Sequence, residues 1–208
     1  TFIVGIFPFI FVRKTPAITL KEGYVIITLS WILSFIFGML PYVLWGGEFS
    51  LINAWFESTS GITTTGATIL RDIEALPAGL LFWRSSSHYI GGLGVVVFMM
   101  MILPSAGSVR FRMSKMDMLD ISKDNYHYVS DKYVRVIVTV YIGLTVAAFL
   151  SLLLAGMPVF DAVNHAFSVT ATGGFSIKNA SIAAYDSLAV EIVLMIFMLI
   201  STLHFGLI

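Results

Sequence analysis

Cysteine is absent from the 208-residue chain. Without it neither a disulfide framework nor a thiolate metal site can form. Charge is nearly as scarce. Asp, Glu, Lys and Arg make up 12% of the residues, about half the share usual in soluble domains. The twelve basic and twelve acidic side chains cancel, so there is no net basic charge of the kind a nucleic-acid binder carries. His127 and His204 have no metal-ligand partners at helical spacing. No Ser/His/Asp set or carboxylate pair converges, which leaves an intramembrane enzyme unsupported.

Apolar residues, in contrast, make up 58% of the chain, above the 45–50% or so of a soluble domain. They fall in four runs long enough to cross a bilayer: Gly23–Trp45, Leu80–Leu103, Tyr133–Ala155 and Leu188–Ile208. Thr1–Val12 is apolar but too short to span, and it lacks the basic start and cleavage site of a signal peptide. Both ends read as cuts through helices, so the sequence is expected to be a piece of a longer protein. Two shorter apolar stretches, Ser50–Ser60 and Val159–Val169, lie between spans. A helix of that length covers about half the hydrocarbon thickness. It fits either a re-entrant segment or a helix lying at the outer interface.

Loop charge orients the chain. Arg13, Lys14 and Lys21 precede the first full span, and Arg110, Arg112, Lys115, Lys123, Lys132 and Arg135 lie between or beside the second and third. These are nine of the twelve basic residues, which places loops 13–22 and 104–132 in the cytoplasm. The opposite side holds Arg71, Lys178 and Arg84 together with Glu48, Glu57, Asp72, Glu74, Asp161 and Asp186, an acidic face that would raise the local cation concentration.

An internal repeat follows. Thr63-Thr64-Thr65-Gly66-Ala67 aligns with Thr170-Ala171-Thr172-Gly173-Gly174 at an offset of 107 residues, with Arg71 and Lys178 in register and Ser58 paired with His165. Each copy follows a short apolar stretch between two spans. Irregular backbone at membrane depth persists only where it is buried or lines a wet cavity. Glycine admits backbone angles closed to other residues, so successive carbonyls can turn toward an axis and replace the hydration shell of K⁺. The C-terminal end of each short helix adds about −0.5 elementary charge. Neither segment contains the Asp or Glu expected of a divalent-cation pore.

These residues carry a resemblance: Phe56-Glu57, Ser60 through Thr68, Trp83-Arg84-Ser85, Gly91-Gly92-Leu93-Gly94 and Ile102-Leu103-Pro104, then Gly156 through Ala162, Ala171 through Ser176 and Asn179 through Ile182. The chain resembles the TrkH/KtrB superfamily of bacterial K⁺ transporters, in its TrkH branch. The resemblance implies an all-α membrane protein of repeated helix–re-entrant pore helix–filter–helix units, as in K⁺ channels. Four such units form a pseudo-fourfold pore in the whole protein. This chain would hold the first two, with 1–22 as the end of a preceding helix and a loop, 23–103 and 133–208 as pore repeats, and 104–132 as the linker.

K⁺ would be bound by the backbone of Thr64, Thr65, Ala171 and Thr172, with Gly66 and Gly173 as the structural glycines. Thr63, Ala67, Thr68, Thr170, Gly174, Glu57 and Arg84 would support them. One glycine per strand, where tetrameric channels have two, implies a shorter ring of sites and looser rejection of Na⁺. The resemblance also implies K⁺ uptake across the bacterial inner membrane with filter mouths outside, no covalent cofactor, no enzymatic activity and no nucleic-acid partner. It implies a homodimer in the bilayer and a cytoplasmic nucleotide-binding regulator of the TrkA type. The alternatives are a carrier coupling K⁺ to Na⁺ or H⁺ by alternating access, disfavoured because both repeats share one topology, and a non-transporting scaffold, which the repeated filters disfavour.

Arg84 reads as a clamp on the filter carbonyls or on Glu57, since charges at membrane depth have partners. His88, where a Gln or bulky apolar residue is expected, reads as an interfacial histidine bonded to a neighbour. Gly91-Gly92-Leu93-Gly94 lacks the preceding strand and following Lys of a phosphate loop, and reads as close helix packing or a bend. Met99–Met101 reads as packing or lipid-facing filler.

Overall fold

The computed structural model describes residues 20–95 and 123–204. The preceding helix and loop at 1–19, the Met99–Met101 stripe, Pro104 and most of the 104–132 linker lie outside these residues. Among the described residues the chain is helical, with no strand. In order they form α1 (Leu20–Trp45), α2 (Leu51–Ile62), α3 (78–95), α4 (Lys123–Leu154), α5 (Val159–Thr170), a 3₁₀ turn at Ser181–Tyr185, and α6 (Leu188–His204).

Helices α1 and α4 are long and apolar enough to cross a membrane. The 26 residues of α1 give a rod of about 39 Å, beyond the roughly 30 Å of a hydrocarbon core. Leu29, Leu33, Val146 and Leu150 are about half exposed, an apolar surface that water would penalise at about 25 cal/mol per Å² and lipid would not. The other two expected spans, α3 and α6, both reach the edge of the described residues. Helix α4 starts at Lys123, earlier than the expected Tyr133. Its first turns carry charge, so apolarity alone marked only where the span begins, while the backbone ladder starts before it.

The two short helices match their expected positions and are 12 residues each. Ser50 caps α2, its hydroxyl accepting from the Asn53 amide at 3.3 Å. At α5 the cap is Pro158, whose fixed φ suits a helix start and whose carbonyl accepts from the Ala162 amide at 2.8 Å. Each short helix turns a small residue inward. Ala54 and Ala162 are completely buried, which lets the short helix approach its neighbours closely. Ala54 packs with Tyr42, Phe49 and Leu80, and Ala162 with Ala148, Leu152, Met157 and Val190. The unit of long helix, short helix, irregular segment and helix thus occurs twice, each copy with its own core.

Candidate functional site

Both short helices end in the same turn. After α2, the amides of Thr63, Thr64 and Thr65 donate to Thr59, Gly61 and Ser60 carbonyls at 2.9, 3.1 and 2.9 Å. After α5, the amides of Ala171, Thr172 and Gly173 donate to Phe167, Val169 and Ser168 at 3.1, 3.1 and 2.9 Å. The last carbonyls of each helix are therefore occupied by the segment that follows.

Backbone dihedrals repeat in the same way. Thr64 and Thr172 have φ of 55° and 53°, and Gly66 and Gly174 have φ of 76° and 89°. Every second residue of each segment is left-handed, and in each case the first of the two is a β-branched threonine. For threonine that conformation is an outlier with a cost of order 1–3 kcal/mol.

The register of the two copies differs by one residue from the sequence alignment. Helix starts Leu51 and Val159, helix ends Ile62 and Thr170, the three turn bonds and both left-handed positions all pair Thr64 with Thr172, Thr65 with Gly173 and Gly66 with Gly174. Gly173, expected as the counterpart of Gly66, lacks the left-handed φ that Gly66 and Gly174 share. Ala171 corresponds to Thr63, the cap of the helix, and Glu57 to His165. The Thr-x-Thr-Gly match hid this shift because a second glycine follows Gly173.

The segments meet. A Cβ built on Gly66 would overlap the carbonyl oxygen of Gly173 and come within 3.6 Å of the Gly174 Cα. Behind the first segment, the Ser60 hydroxyl donates to the Ala67 carbonyl at 2.5 Å, and the Thr63 hydroxyl donates to Thr59 and lies 2.8 Å from that of Thr65. Thr170, expected as support, is buried with its hydroxyl unpartnered among the described residues.

Glu57 and Arg84 come together as expected of a clamp. Glu57 is fully buried. It accepts from the Thr68 hydroxyl at 2.9 Å, the Ile69 amide at 3.2 Å and Arg84 Nε at 2.8 Å. Arg84 Nη1 donates to the Ser176 carbonyl at 3.0 Å, and the guanidinium lies 4.2 Å from the centre of the Phe175 ring. One cation on α3 thus ties the chain leaving the first segment to the chain leaving the second.

His165, at the position equivalent to Glu57, has Nε2 3.2 Å from the Tyr185 hydroxyl, which donates to Asp161 at 2.8 Å. Burial first, and then that hydrogen bond, push the Tyr185 phenol above its ordinary pKa, so it stays a donor.

His88 is completely buried in the protein, on a helix that meets the ends of both short helices at Ile62 and Ala171, and its neighbour is Ser168. Gly91 and Gly92 of α3 are close-packing positions, as expected. A Cβ at Gly91 would strike the Ile62 carbonyl, and one at Gly92 would lie 3.0 Å from the Ala171 Cβ. Ser60, Phe175 and Asn179 carried the resemblance without a role of their own and Ser168 was not singled out, although Ser60 and Ser168 stand in the corrected register.

Asn179 locks the two loops. Its Oδ1 accepts from the Ile73 amide at 2.7 Å, its Nδ2 donates to Asp72 at 2.7 Å, and its amide donates to Glu74 at 3.1 Å. Replacing Asn179 by Ala removes two of these bonds at a partly solvated site, an expected loss of about 1–2 kcal/mol. Asn179→Asp should lose more, since it sets a carboxylate against Asp72. Thermal unfolding of the full-length protein checks the order; an Asp variant as stable as wild type contradicts it.

Residues 3–208 match the family model described as TrkH, cation transport protein. The chain belongs to the TrkH family. It is 36% identical over 94% of its length to the Trk system potassium uptake protein TrkH of Salmonella typhimurium, covering 41% of that protein. It is 38% identical over 90% of its length to the TrkH of Halomonas elongata, covering 39%. The crystal structure of the potassium transporter TrkH from Vibrio parahaemolyticus superposes with a TM-score of 0.77 at 32% identity, over 93% of this chain and 39% of that one. The chain therefore spans about two fifths of the length of these relatives. As a TrkH-family chain with two span-length apolar helices, it is part of a membrane protein.

Proposed function

We propose that this chain supplies two of the four filter segments of a K⁺-conducting uptake pore in the bacterial inner membrane. The observation that carries the reading is the alternation of left-handed residues, Thr64 and Gly66, Thr172 and Gly174, in two touching segments at the C-terminal ends of equal helices. In an ordinary strand successive carbonyls point to opposite sides. A change of hand at every second residue turns them to one side, as a row of oxygens replacing the hydration shell of K⁺ requires. The negative helix ends favour the same cation. In the structural register the K⁺-facing carbonyls are those of Thr64 and Thr65 in one segment and Thr172 and Gly173 in the other, with Gly66 and Gly174 as the structural glycines.

The short helices are read as re-entrant, the filter mouths as facing outside, and 13–22 and 104–132 as cytoplasmic, following loop charge. The units 23–103 and 133–208 are two of four pseudo-fourfold repeats. In its full length the protein works as a homodimer with a nucleotide-binding regulator of the TrkA type. Its relatives' names, potassium uptake proteins, support the choice of ion.

The test is Rb⁺ tracer uptake into liposomes holding the full-length protein, with no H⁺ or Na⁺ gradient. Uptake inhibited by K⁺ and far less by Na⁺ is expected. Absence of uptake, or equal inhibition by Na⁺, contradicts the filter. Uptake that needs an imposed H⁺ or Na⁺ gradient identifies a coupled carrier instead.

A further inference from the structure

The two segments are braced differently, although the turns that start them are alike. In the first unit the Ser60 hydroxyl reaches forward to the Ala67 carbonyl, so the short helix supports its own segment. Ser168 is the equivalent residue, and its carbonyl takes the equivalent amide, Gly173. Its hydroxyl instead faces Nδ1 of His88 at 3.5 Å, long for a hydrogen bond. The His88 ring stacks on Phe175, centroids 4.0 Å apart and planes 17° apart. It also fills the space beside Gly173. A Cβ there would fall 2.5 and 2.6 Å from His88 Cγ and Cε1, and closer still to Nδ1. Gly173 has no left-handed φ, so the ring, not the backbone conformation, is what requires glycine at this position. Nε2 of His88 is buried without a partner among the described residues, so contact of the flat ring, rather than a hydrogen bond from that nitrogen, accounts for its packing.

We propose that His88 is a positioning residue that backs the second segment from α3 of the first unit and thereby sets the ion preference of that strand. This rests on reading 171–174 as filter. A side chain on one unit then fixes where the carbonyl of Gly173 stands in the other. A flat ring of this size is needed, and a smaller side chain leaves the strand room to retreat.

The experiment uses the full-length protein and reads the ratio of K⁺ to Na⁺ inhibition of Rb⁺ tracer uptake, normalised to folded protein. His88→Ala should lower the ratio roughly tenfold, whereas His88→Phe, which keeps a flat ring, should stay within about threefold of wild type. Gly173→Ala should abolish uptake, and His88→Ala combined with Gly173→Ala should restore part of it, because the missing ring makes room for the added methyl. A residue important only for folding would change the amount of protein and leave the ratio alone. A wild-type ratio in His88→Ala, or a double variant no better than Gly173→Ala, overturns the proposal. Gly66→Ser separates the two readings. If wild type prefers K⁺ and Gly66→Ser does not, an unaffected His88→Ala refutes the role of His88 alone. If wild type shows no preference for K⁺, the filter reading fails and this one with it.

Discussion

Replacing Arg84 by alanine should cost the full-length protein about 3–5 kcal/mol, the range seen when one partner of a buried ion pair is removed. Glu57 and Arg84 are 0% and 1% exposed, with Nε and Oε1 2.8 Å apart. Without the guanidinium, Glu57 keeps among the described residues only the Thr68 hydroxyl and the Ile69 amide, and its charge is left at a fully buried position. The Ser176 carbonyl loses its donor as well. Glu57→Gln should cost less, because the amide oxygen can still accept from Arg84 Nε and the guanidinium keeps Ser176 and Phe175. The double variant Glu57→Leu with Arg84→Met should recover part of the loss, since an apolar pair carries no charge to bury. Thermal unfolding in detergent, followed by a probe in each unit, measures the series. Arg84→Ala within about 1 kcal/mol of wild type would show that the pair is solvated in the membrane-embedded protein.

Much of this arrangement could be read from residue order. Apolar runs fixed α1 and the apolar body of α4 because length and composition are local properties, and the same holds for the two short helices. The pairing of Arg84 with Glu57 was within reach because a charge among apolar residues needs a partner and Glu57 is the one carboxylate within the first short helix. Contacts between units were not legible. Nothing local in His88 or Asn179 says which residue of the other unit each one meets, and both depend on how α3 and the loops pack.

The error in register is instructive because its cause is chemical. Matching Thr-Thr-Thr-Gly to Thr-Ala-Thr-Gly rewards identity, and a two-glycine run offers two alignments. Packing chooses the one that places Ala54 with Ala162 in the cores, Ser60 with Ser168 at the turn, and Thr64 with Thr172 in the strained position. Those three pairs were present in the sequence, and a search weighted for small and hydroxyl residues on the buried face would have found them. The strain at Thr64 and Thr172 could not have been found, since threonine gives no sign of a positive φ.

That register separates Gly66 from Gly173, which sequence alone pairs, and joins it to Gly174, and between the two left-handed glycines the larger functional effect is expected at the first. Gly66→Ala carries two penalties. Its φ of 76° is disfavoured for a residue with a Cβ by about 1–3 kcal/mol. The added methyl would also overlap the Gly173 carbonyl oxygen, a backbone atom that cannot rotate away. Gly174→Ala has φ of 89° and the first penalty alone, because nothing among the described residues lies within 4 Å of its Cβ position. Gly66→Ala should therefore displace the second segment as well as its own and abolish K⁺ preference, while Gly174→Ala keeps part of it. Rb⁺ tracer uptake with K⁺ or Na⁺ as competitor, together with thermal unfolding, measures both variants in the full-length protein. Equal losses at the two positions would mean that backbone conformation alone sets the cost, and that the contact between the segments plays no part in selecting the ion.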